Sequence, residues 1–319
     1  MRVAITGVSG YLGRLLAPRL AADGRVTELT GLDLVAPSVV VPGLRFASGD
    51  ILGPELDRTL GGSEVAVHLA FVVQELRDKQ RTRRVNVEGT RAFFRACERA
   101  GVRRIVLASS IAAYGQAAGQ PLLLEDSPLL GSRRSYYAET KRIVDEMAGG
   151  FSRAHPEVTV TRLRPSILCG PRAVGFVAEL LESPVYPYVL GNEAGLPFVH
   201  EDDVIRALHQ VVVEPHPGPF NLDAGNLPPR RAAALLGVRP VGLPYLAARA
   251  LADVGFAAGL LPFSSHWVEL ARAPFRVSTH RAQTLLGWRP TRSAEEAFAE
   301  MVEQHRSAGA TRRRFWRAR

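Results

Sequence analysis

A glycine-rich turn near the start of the chain constrains its fold more than any other feature of the sequence. Residues 2–6 read RVAIT and predict a short buried strand. The segment 6–13 that follows reads TGVSGYLG, and leucines at helical spacing then predict a helix over residues 11–22. Glycines in such a turn let the backbone reverse tightly and let the helix pack against the strand. The sequence therefore predicts the strand–turn–helix unit that opens an α/β fold.

The same turn has the chemistry of an anion site. Gly7, Gly10 and Gly13 allow the backbone to approach a pyrophosphate, which the amides at the helix N-terminus would face. Asp33 ends the next predicted strand, 26–34, where a carboxylate can accept both ribose hydroxyls and would repel a 2′-phosphate. The pattern predicts a dinucleotide site that prefers NAD over NADP. The alternatives are a glycine turn without a ligand and a solvated loop acid.

Strands and helices alternate through the first half of the chain. Apolar strands are predicted at 26–34, 44–47, 65–69, 105–109 and 158–164, and helices at 82–100 and 135–151. Strands that lack a polar face are typical of a sheet covered on both sides. We therefore expect an α/β fold with a doubly wound parallel (Rossmann) sheet.

Prolines interrupt this alternation after Arg164. Helices are predicted at 202–213, 244–261, 267–273 and 294–305, with a short strand at 220–222. Because the segment lacks the period of two that marks a strand, it predicts a smaller, mainly helical C-terminal lobe that faces the substrate.

Composition narrows the class of protein. Two cysteines, Cys97 and Cys169, exclude a disulfide framework, and the histidines lack metal-ligand spacing, so no metal site is predicted. No apolar run is long enough for a membrane span and no leader precedes the first strand, so a cytoplasmic protein without a membrane partner is expected.

The net charge of +9 admits two interpretations. Arginines cluster at 77–104 and in the tail 311–319, and rows of arginine neutralise the phosphates of nucleic acids. The other interpretation is a solvated helix face and a basic tail. Since no nucleic-acid-binding module is recognisable, the second is favoured and no nucleic-acid partner is predicted.

The chain has two lysines, and one of them carries a chemical signal. Lys141 follows Tyr137 by four residues in the predicted helix 135–151, so the two share a face. An ammonium beside a phenol favours phenolate and lowers the pKa of the tyrosine from about 10. Ser109 and Ser110 end a strand upstream, where a hydroxyl can hold a substrate oxygen. Serine, tyrosine and lysine together suit hydride transfer between a nicotinamide and a secondary alcohol or ketone. The alternative is that the serine only caps the end of a strand and that the tyrosine and lysine form a surface pair.

Further motifs occur in a fixed order along the chain. They are TGVSGYLG at 6–13, Asp33, Asp50, HLAF at 68–71, NVEGT at 86–90, SS at 109–110 before Tyr114, the Tyr137/Lys141 pair, RP at 164–165, FVHEDDV at 198–204, FNL at 220–222 and LGWRP at 286–290. With these motifs the chain resembles the extended short-chain dehydrogenase/reductases of the NAD-dependent epimerase/dehydratase family. The resemblance implies an NAD cofactor and a homodimer formed through the helices at 82–100 and 135–151.

The resemblance also implies roles for individual residues. The catalytic residues would be Ser110, Tyr137 and Lys141, with Ser110 chosen over Ser109 because it lies four residues before Tyr114. The predicted cofactor contacts are Gly7, Gly10, Tyr11, Leu12, Gly13, Asp33, Asp50, Ile51, Leu69, Ala70, Phe71, Asn86, Tyr137, Lys141 and Pro165. The predicted substrate contacts are Ala112, Ser166 and His200.

The implied dinucleotide-binding domain is discontinuous, because the helix at Asp203 would pack against it. It comprises residues 1–165 rejoined by 198–225, while 166–197 and 226–310 form the substrate-binding lobe and 311–319 the basic tail.

Two departures from the family pattern narrow the reaction. Dehydratases of the family carry Asp and Glu directly after the catalytic hydroxyl, where this chain has Ile111 and Ala112, so dehydration is not expected. Many nucleotide-sugar members carry an Asn soon after the strand that ends near Arg164, where this chain reads PSILC at 165–169. Apolar residues at 260–263 would suit a less polar alcohol or ketone.

The sequence thus predicts an NAD(P)-dependent oxidoreductase acting on a secondary alcohol or ketone. The rival enzyme is a nucleotide-sugar epimerase that keeps its NAD tightly bound. A rival from another class is a non-catalytic dinucleotide sensor or scaffold, which has no need for Tyr137 beside Lys141.

Overall fold

The computed structural model describes residues 1–73, 78–115, 121–261 and 264–317. Arg77 of the first basic cluster, Pro262 and Phe263 of the apolar stretch, and residues 318–319 of the tail lie outside the described residues.

A parallel sheet of seven strands forms the centre of the molecule, in the order β10-β6-β5-β4-β1-β2-β3. The strands of the chain are β1 (Arg2–Thr6), β2 (Glu28–Asp33), β3 (Leu44–Ser48), β4 (Val65–His68), β5 (Arg104–Ala108), β6 (Thr159–Pro165), β7 (Ile167–Cys169), β8 (Val185–Val189), β9 (Leu196–His200), β10 (Gly218–Leu222), β11 (Asn226–Leu227) and β12 (Arg239–Leu243). The predicted doubly wound parallel sheet is confirmed.

Helices cover both faces of this sheet. They are α1 (Tyr11–Ala21), α2 (Glu55–Leu60), α3 (Lys79–Arg83), α4 (Gly89–Ala100), α5 (Tyr136–Ala154), α6 (Phe176–Glu179), α7 (Glu201–Val213), α8 (Pro229–Leu236), α9 (Tyr245–Ala257), α10 (Ser265–Leu270), α11 (His280–Leu285) and α12 (Ala294–Arg317). A π-helical turn (Arg84–Glu88) joins α3 to α4, and 3-10 turns occupy Ile111–Tyr114 and Leu180–Glu182. In the described ranges, no helix combines the length and apolarity that crossing a bilayer requires.

The sheet separates two apolar cores, as the alternation of side chains along a strand requires. Val3 and Ile5 of β1 point to the core that α1 and α7 complete. Ala4, between them, belongs to the opposite core, which contains Phe93 of α4 and Ala148 of α5. Every one of these side chains is almost completely buried.

The last strand of the sheet comes from late in the chain. β10 pairs in parallel with β6, so that Phe220 lies beside Leu163. The preceding helix, α7, packs against α1 on one face of the sheet. The indole of Trp288 donates to the carbonyl of Asp203 at 2.9 Å and fixes the start of α7.

The lobe beyond the sheet contains helices and also short strands. β11, β9 and β7 form a three-stranded sheet, and β12 pairs with β8. The sequence analysis predicted none of these strands, and Pro187, Pro197 and Pro240 interrupt the apolar patterns of three of them. Proline is tolerated in β8 and β12 because both are edge strands, and Pro197 of the central strand β9 lies one residue before the pairing with β7 begins.

Candidate active site

The glycine turn folds so closely on itself that side chains cannot be accommodated. Gly7 has φ of +75°, and a Cβ atom there would lie 2.5 Å from the backbone nitrogen of Ala70. A Cβ atom on Gly13 would lie 2.3 Å from the carbonyl oxygen of Gly7. The turn and the first residues of α1 therefore present backbone to the space above the sheet, which is the arrangement that binds a pyrophosphate.

Asp33 lies beside this turn at the end of β2. Its carboxylate accepts hydrogen bonds from the backbone nitrogens of Ser9 at 2.9 Å and Leu34 at 2.7 Å. Each carboxylate oxygen keeps acceptor capacity for a further donor. Asp50, after the neighbouring β3, accepts from the backbone nitrogen of Leu52 at 2.9 Å, and Ile51 is buried.

The segment that follows β4 forms one wall of the site, and Asn86 holds it from behind. Asn86 lies in the π-helical turn and is completely buried. Its amide nitrogen donates to the carbonyl of Val72 at 3.0 Å, and its amide oxygen accepts from the Val72 nitrogen at 2.7 Å. Asn86 therefore fixes the backbone next to Leu69 and Phe71 without lining the cavity itself.

His68 anchors the same wall from within the core. Its two ring nitrogens hydrogen-bond to the hydroxyls of Thr6, at 2.8 Å, and Thr90, at 2.9 Å. Burial and then the charge of Lys141 lower the pKa of His68 to about 3. The ring is therefore neutral and links β1 to α4.

The three predicted catalytic residues line the cavity beside this wall, and the side chains of Tyr137 and Lys141 contact the Phe71 ring. The Ser110 hydroxyl donates to the carbonyl of Pro165 at 3.4 Å and accepts from the Ala112 nitrogen at 3.2 Å. It also hydrogen-bonds to Tyr137. Lys141 donates from Nζ to the carbonyl of Ala108 at 2.9 Å.

Aromatic rings surround these groups. Lys141 Nζ lies 3.6 Å from the centre of the Phe71 ring and 5.8 Å from that of Tyr137. The Tyr137 ring stacks on Trp267 at 5.7 Å between centres. Trp267 belongs to α10, so the C-terminal lobe contributes directly to the surroundings of the phenol.

The electrostatics of the phenol differ from the sequence-based expectation. Burial raises the pKa of Tyr137, and its hydrogen bond with Ser110 opposes this rise. Burial lowers the pKa of Lys141 to about 7, and Asp145 opposes that fall. The expectation that Lys141 lowers the tyrosine pKa is wrong for this arrangement, because its ammonium donates to Ala108 and lies away from the phenol.

A buried ion pair between Asp145 and Arg164, which the sequence analysis missed, lies behind the catalytic residues. Asp145, one turn beyond Lys141 in α5, accepts from Arg164 Nε at 2.8 Å and from Arg164 Nη2 at 2.7 Å. It also accepts from the Ser109 hydroxyl at 2.6 Å. Hydrogen bonds from Arg164 hold the pKa of the Asp145 carboxyl below its usual range despite burial. The sequence signal that could have indicated this ion pair is Arg164, a charged residue within the largely buried strand β6.

These walls enclose a cavity of about 610 Å³. The predicted residues that line it are Gly7, Gly10, Tyr11, Leu12, Leu69, Phe71, Ser110, Ala112, Tyr137, Lys141, Pro165 and Ser166. The predicted residues that do not line it are Gly13, Asp33, Asp50, Ile51, Ala70, Asn86 and His200. Glu179 and Trp267 line it although the sequence analysis did not single them out.

Two of the predicted residues have structural contacts that explain their positions. His200 is completely buried and caps α7, its Nδ1 accepting from the Asp202 nitrogen at 3.1 Å, so the structure does not bring it to the cavity. The Tyr11 hydroxyl donates to the buried carboxylate of Glu201, and burial raises the pKa of Tyr11.

Comparison with known proteins places this site in context. A sequence profile described as the NAD dependent epimerase/dehydratase family matches residues 3–223. A ceramide reductase of Caulobacter vibrioides is 29% identical over 96% of this chain and 95% of its own length. An uncharacterized protein of Mycobacterium tuberculosis is 29% identical over 93% of this chain and 82% of its own length. The structure of MoeE5 in complex with UDP-glucuronic acid and NAD has a TM-score of 0.77 at 22% identity, covering 97% of this chain and 100% of that one.

Proposed function

This chain belongs to the NAD-dependent epimerase/dehydratase family, and on that premise we propose that it catalyses reversible oxidation of a secondary alcohol to a ketone with NAD. The observation that carries the proposal is the convergence of Ser110, Tyr137 and Lys141 on the cavity that the glycine turn also lines. A dinucleotide on the turn and a substrate beside Tyr137 would share one cavity.

The chain has the groups that hold such a cofactor. The closely packed turn at Gly7 and Gly10 suits its pyrophosphate, and Asp33 has free acceptor capacity for ribose hydroxyls. The wall at Leu69 and Phe71 would border the nicotinamide side. When bound, the nicotinamide supplies the group that accepts hydride from the alcohol carbon or returns it to the ketone.

Side chains of the cavity would bind the substrate oxygen and transfer its proton. The Ser110 hydroxyl holds the substrate oxygen, and Tyr137 takes the hydroxyl proton as the carbon–hydrogen bond breaks. In the reverse direction Tyr137 returns this proton to the oxygen. Lys141, whose pKa is about 7, provides a positive charge whose presence depends on pH in the neutral range.

The reductase interpretation has specific support. The ceramide reductase matches this chain over nearly its full length, and the name of that enzyme describes a net reduction. The epimerase remains the second candidate because MoeE5, with a UDP-sugar and NAD, has a similar fold. The two reactions differ in cofactor use, since an epimerase returns the hydride to the same carbon and shows no net turnover of NADH.

Replacing the phenol tests the proposal. Tyr137→Phe should lower kcat for alcohol oxidation by about 10²–10⁴-fold, since loss of a general acid/base has that size. Tyr136→Phe is the matched control. It removes the same hydroxyl from the adjacent tyrosine, where the Tyr136 hydroxyl is buried without a hydrogen-bond partner among the described residues. NAD retained through purification without net NADH turnover would favour the epimerase. Unchanged cellular function in Tyr137→Phe would favour the sensor.

A further inference from the structure

We infer that the cavity selects an uncharged, largely apolar alcohol or ketone, and that Glu179 excludes substrates that carry a diphosphate. This inference rests on the proposed function, because it names the substrate class of the same site. It assigns a specificity-determining role to Glu179, at the end of α6.

The surface of the cavity away from the glycine turn is apolar. Its side chains include Val174, Val177, Leu196, Trp267, Leu270 and Phe275, which come from separate segments of the C-terminal lobe. Removing apolar substrate surface from water against such walls is favourable by about 25 cal/mol per Å². A sugar, whose hydroxyls would lack partners against these side chains, would lose binding energy here.

The charges of the lining point the same way. Among the described lining residues, Lys141 and Glu179 carry the ionisable charges, and Lys141 lies at the catalytic wall, where it donates to Ala108. Away from the glycine turn, whose backbone suits the cofactor's own pyrophosphate, no arginine of the described residues lines the cavity to pair with a second diphosphate. A carboxylate in a partly enclosed site repels a group that carries two negative charges. A nucleotide sugar would meet this repulsion without a compensating guanidinium.

The Glu179 carboxylate is itself without a partner. Within the described residues it makes neither an ion pair nor a side-chain hydrogen bond, and its side chain is half-buried. Burial raises the pKa of its carboxyl. A half-buried acceptor of this kind favours a ligand that donates a hydrogen bond, so a hydroxyl or amide N–H on an otherwise apolar substrate fits beside it.

The inference is tested by binding, with the full chain saturated with NAD⁺ so that ketones cannot be reduced. The probes are methyl ketones of eight, ten and twelve carbons, and UDP-glucose, followed through the fluorescence of Trp267, with Trp267→Phe identifying its signal. We expect affinity to rise by about fourfold for each added methylene and UDP-glucose to show no saturable binding. Affinity that is independent of ketone length, or UDP-glucose binding as tight as that of the longest ketone, overturns the inference.

Substitution of Glu179 tests its part directly. Glu179→Arg should produce saturable binding of UDP-glucose, which the wild type is expected to lack, and should leave ketone affinity within about threefold. Glu179→Gln should increase UDP-glucose binding less than Glu179→Arg does. This variant remains informative if the arginine variant does not fold. The control is Glu182→Gln, three residues further on, whose side chain is 79% exposed. Equal UDP-glucose affinity in all variants would overturn the role of Glu179.

These binding results are separable from the proposed function. Ketone binding that grows with chain length, together with no NADH-linked turnover of any alcohol or ketone, would remove the function and leave the cavity assignment intact. Turnover of short polar alcohols, together with ketone binding that does not depend on chain length, would support the proposed function and overturn the cavity assignment.

Discussion

The proposed cofactor side and the proposed substrate side of the cavity are built in different ways. On the cofactor side, the glycine turn and the segment after β4 form the surface, and hydrogen bonds to Asn86 and Asp33, which do not line the cavity, hold that backbone in place. On the substrate side, apolar side chains from short elements of the lobe form the surface. The first side is defined by directional bonds, and the second by shape and water exclusion.

Because of this difference, the two sides should tolerate amino-acid substitutions to different degrees. A buried hydrogen-bond network fails when one partner is removed, because the remaining group is left without compensation. An apolar wall repacks around volume-conserving substitutions. We therefore expect mutations of the cofactor side to lower the free energy of unfolding and those at the exposed surface of the lobe to leave it unchanged.

The largest effect on stability should come from Asp145→Asn. The carboxylate and the guanidinium of Arg164 have side-chain exposures of 0% and 2%, so the substitution leaves a buried charge unpaired. Loss of about 3–5 kcal/mol in the free energy of unfolding is expected. Urea titration measures it, with Glu146→Gln as the adjacent exposed control. Equal midpoints for the two variants would break the comparison.

A pH-dependent effect should come from Lys141. Its pKa falls from the ordinary 10.5 to about 7 on folding, so between these values the unfolded chain binds more protons. The stability of the wild type should therefore rise with pH across this window and fall as pH drops to 7, by at most about 1.4 kcal/mol per pH unit. Lys141→Met removes this slope. Urea midpoints measured at pH 7, 8 and 9 for both proteins check it, and parallel profiles would contradict it.

The smallest effect should come from the outer face of the lobe. Leu246 on α9 is 74% exposed. Leu246→Gln should change the free energy of unfolding by less than about 0.5 kcal/mol, because the side chain buries little apolar surface. A loss near 2 kcal/mol in urea titration would show that the surface of the lobe is as constrained as the cofactor side.

Sequence patterns predicted the cofactor side well because its signals are local. The glycine turn with the residues around it predicts β1 in full and α1 to within one residue of its end. Tyr137 and Lys141 are four residues apart in one helix, so their shared face follows from helical geometry. The neighbourhood of Ser110 was available through the family resemblance.

The substrate side could not be predicted in the same way. Trp267 and Glu179 reach the cavity through pairings between distant short elements, which leave no period in the sequence. His200, within the motif at 198–204, was expected to lie beside the substrate pocket, but its ring is buried and caps α7. Proximity in sequence does not determine the direction of a buried side chain.

The position of β10 has a consequence for the order in which the chain is made. The outer edge of β6 is paired by residues 218–222, which follow the end of β6 only after a long excursion into the lobe. At translation rates of roughly 5–20 residues per second, several seconds separate the synthesis of these two strands. During that interval the nascent sheet has an open, apolar edge. We expect a fragment ending near residue 165 to keep that edge of β6 unpaired, because the residues that pair with it lie at 218–222.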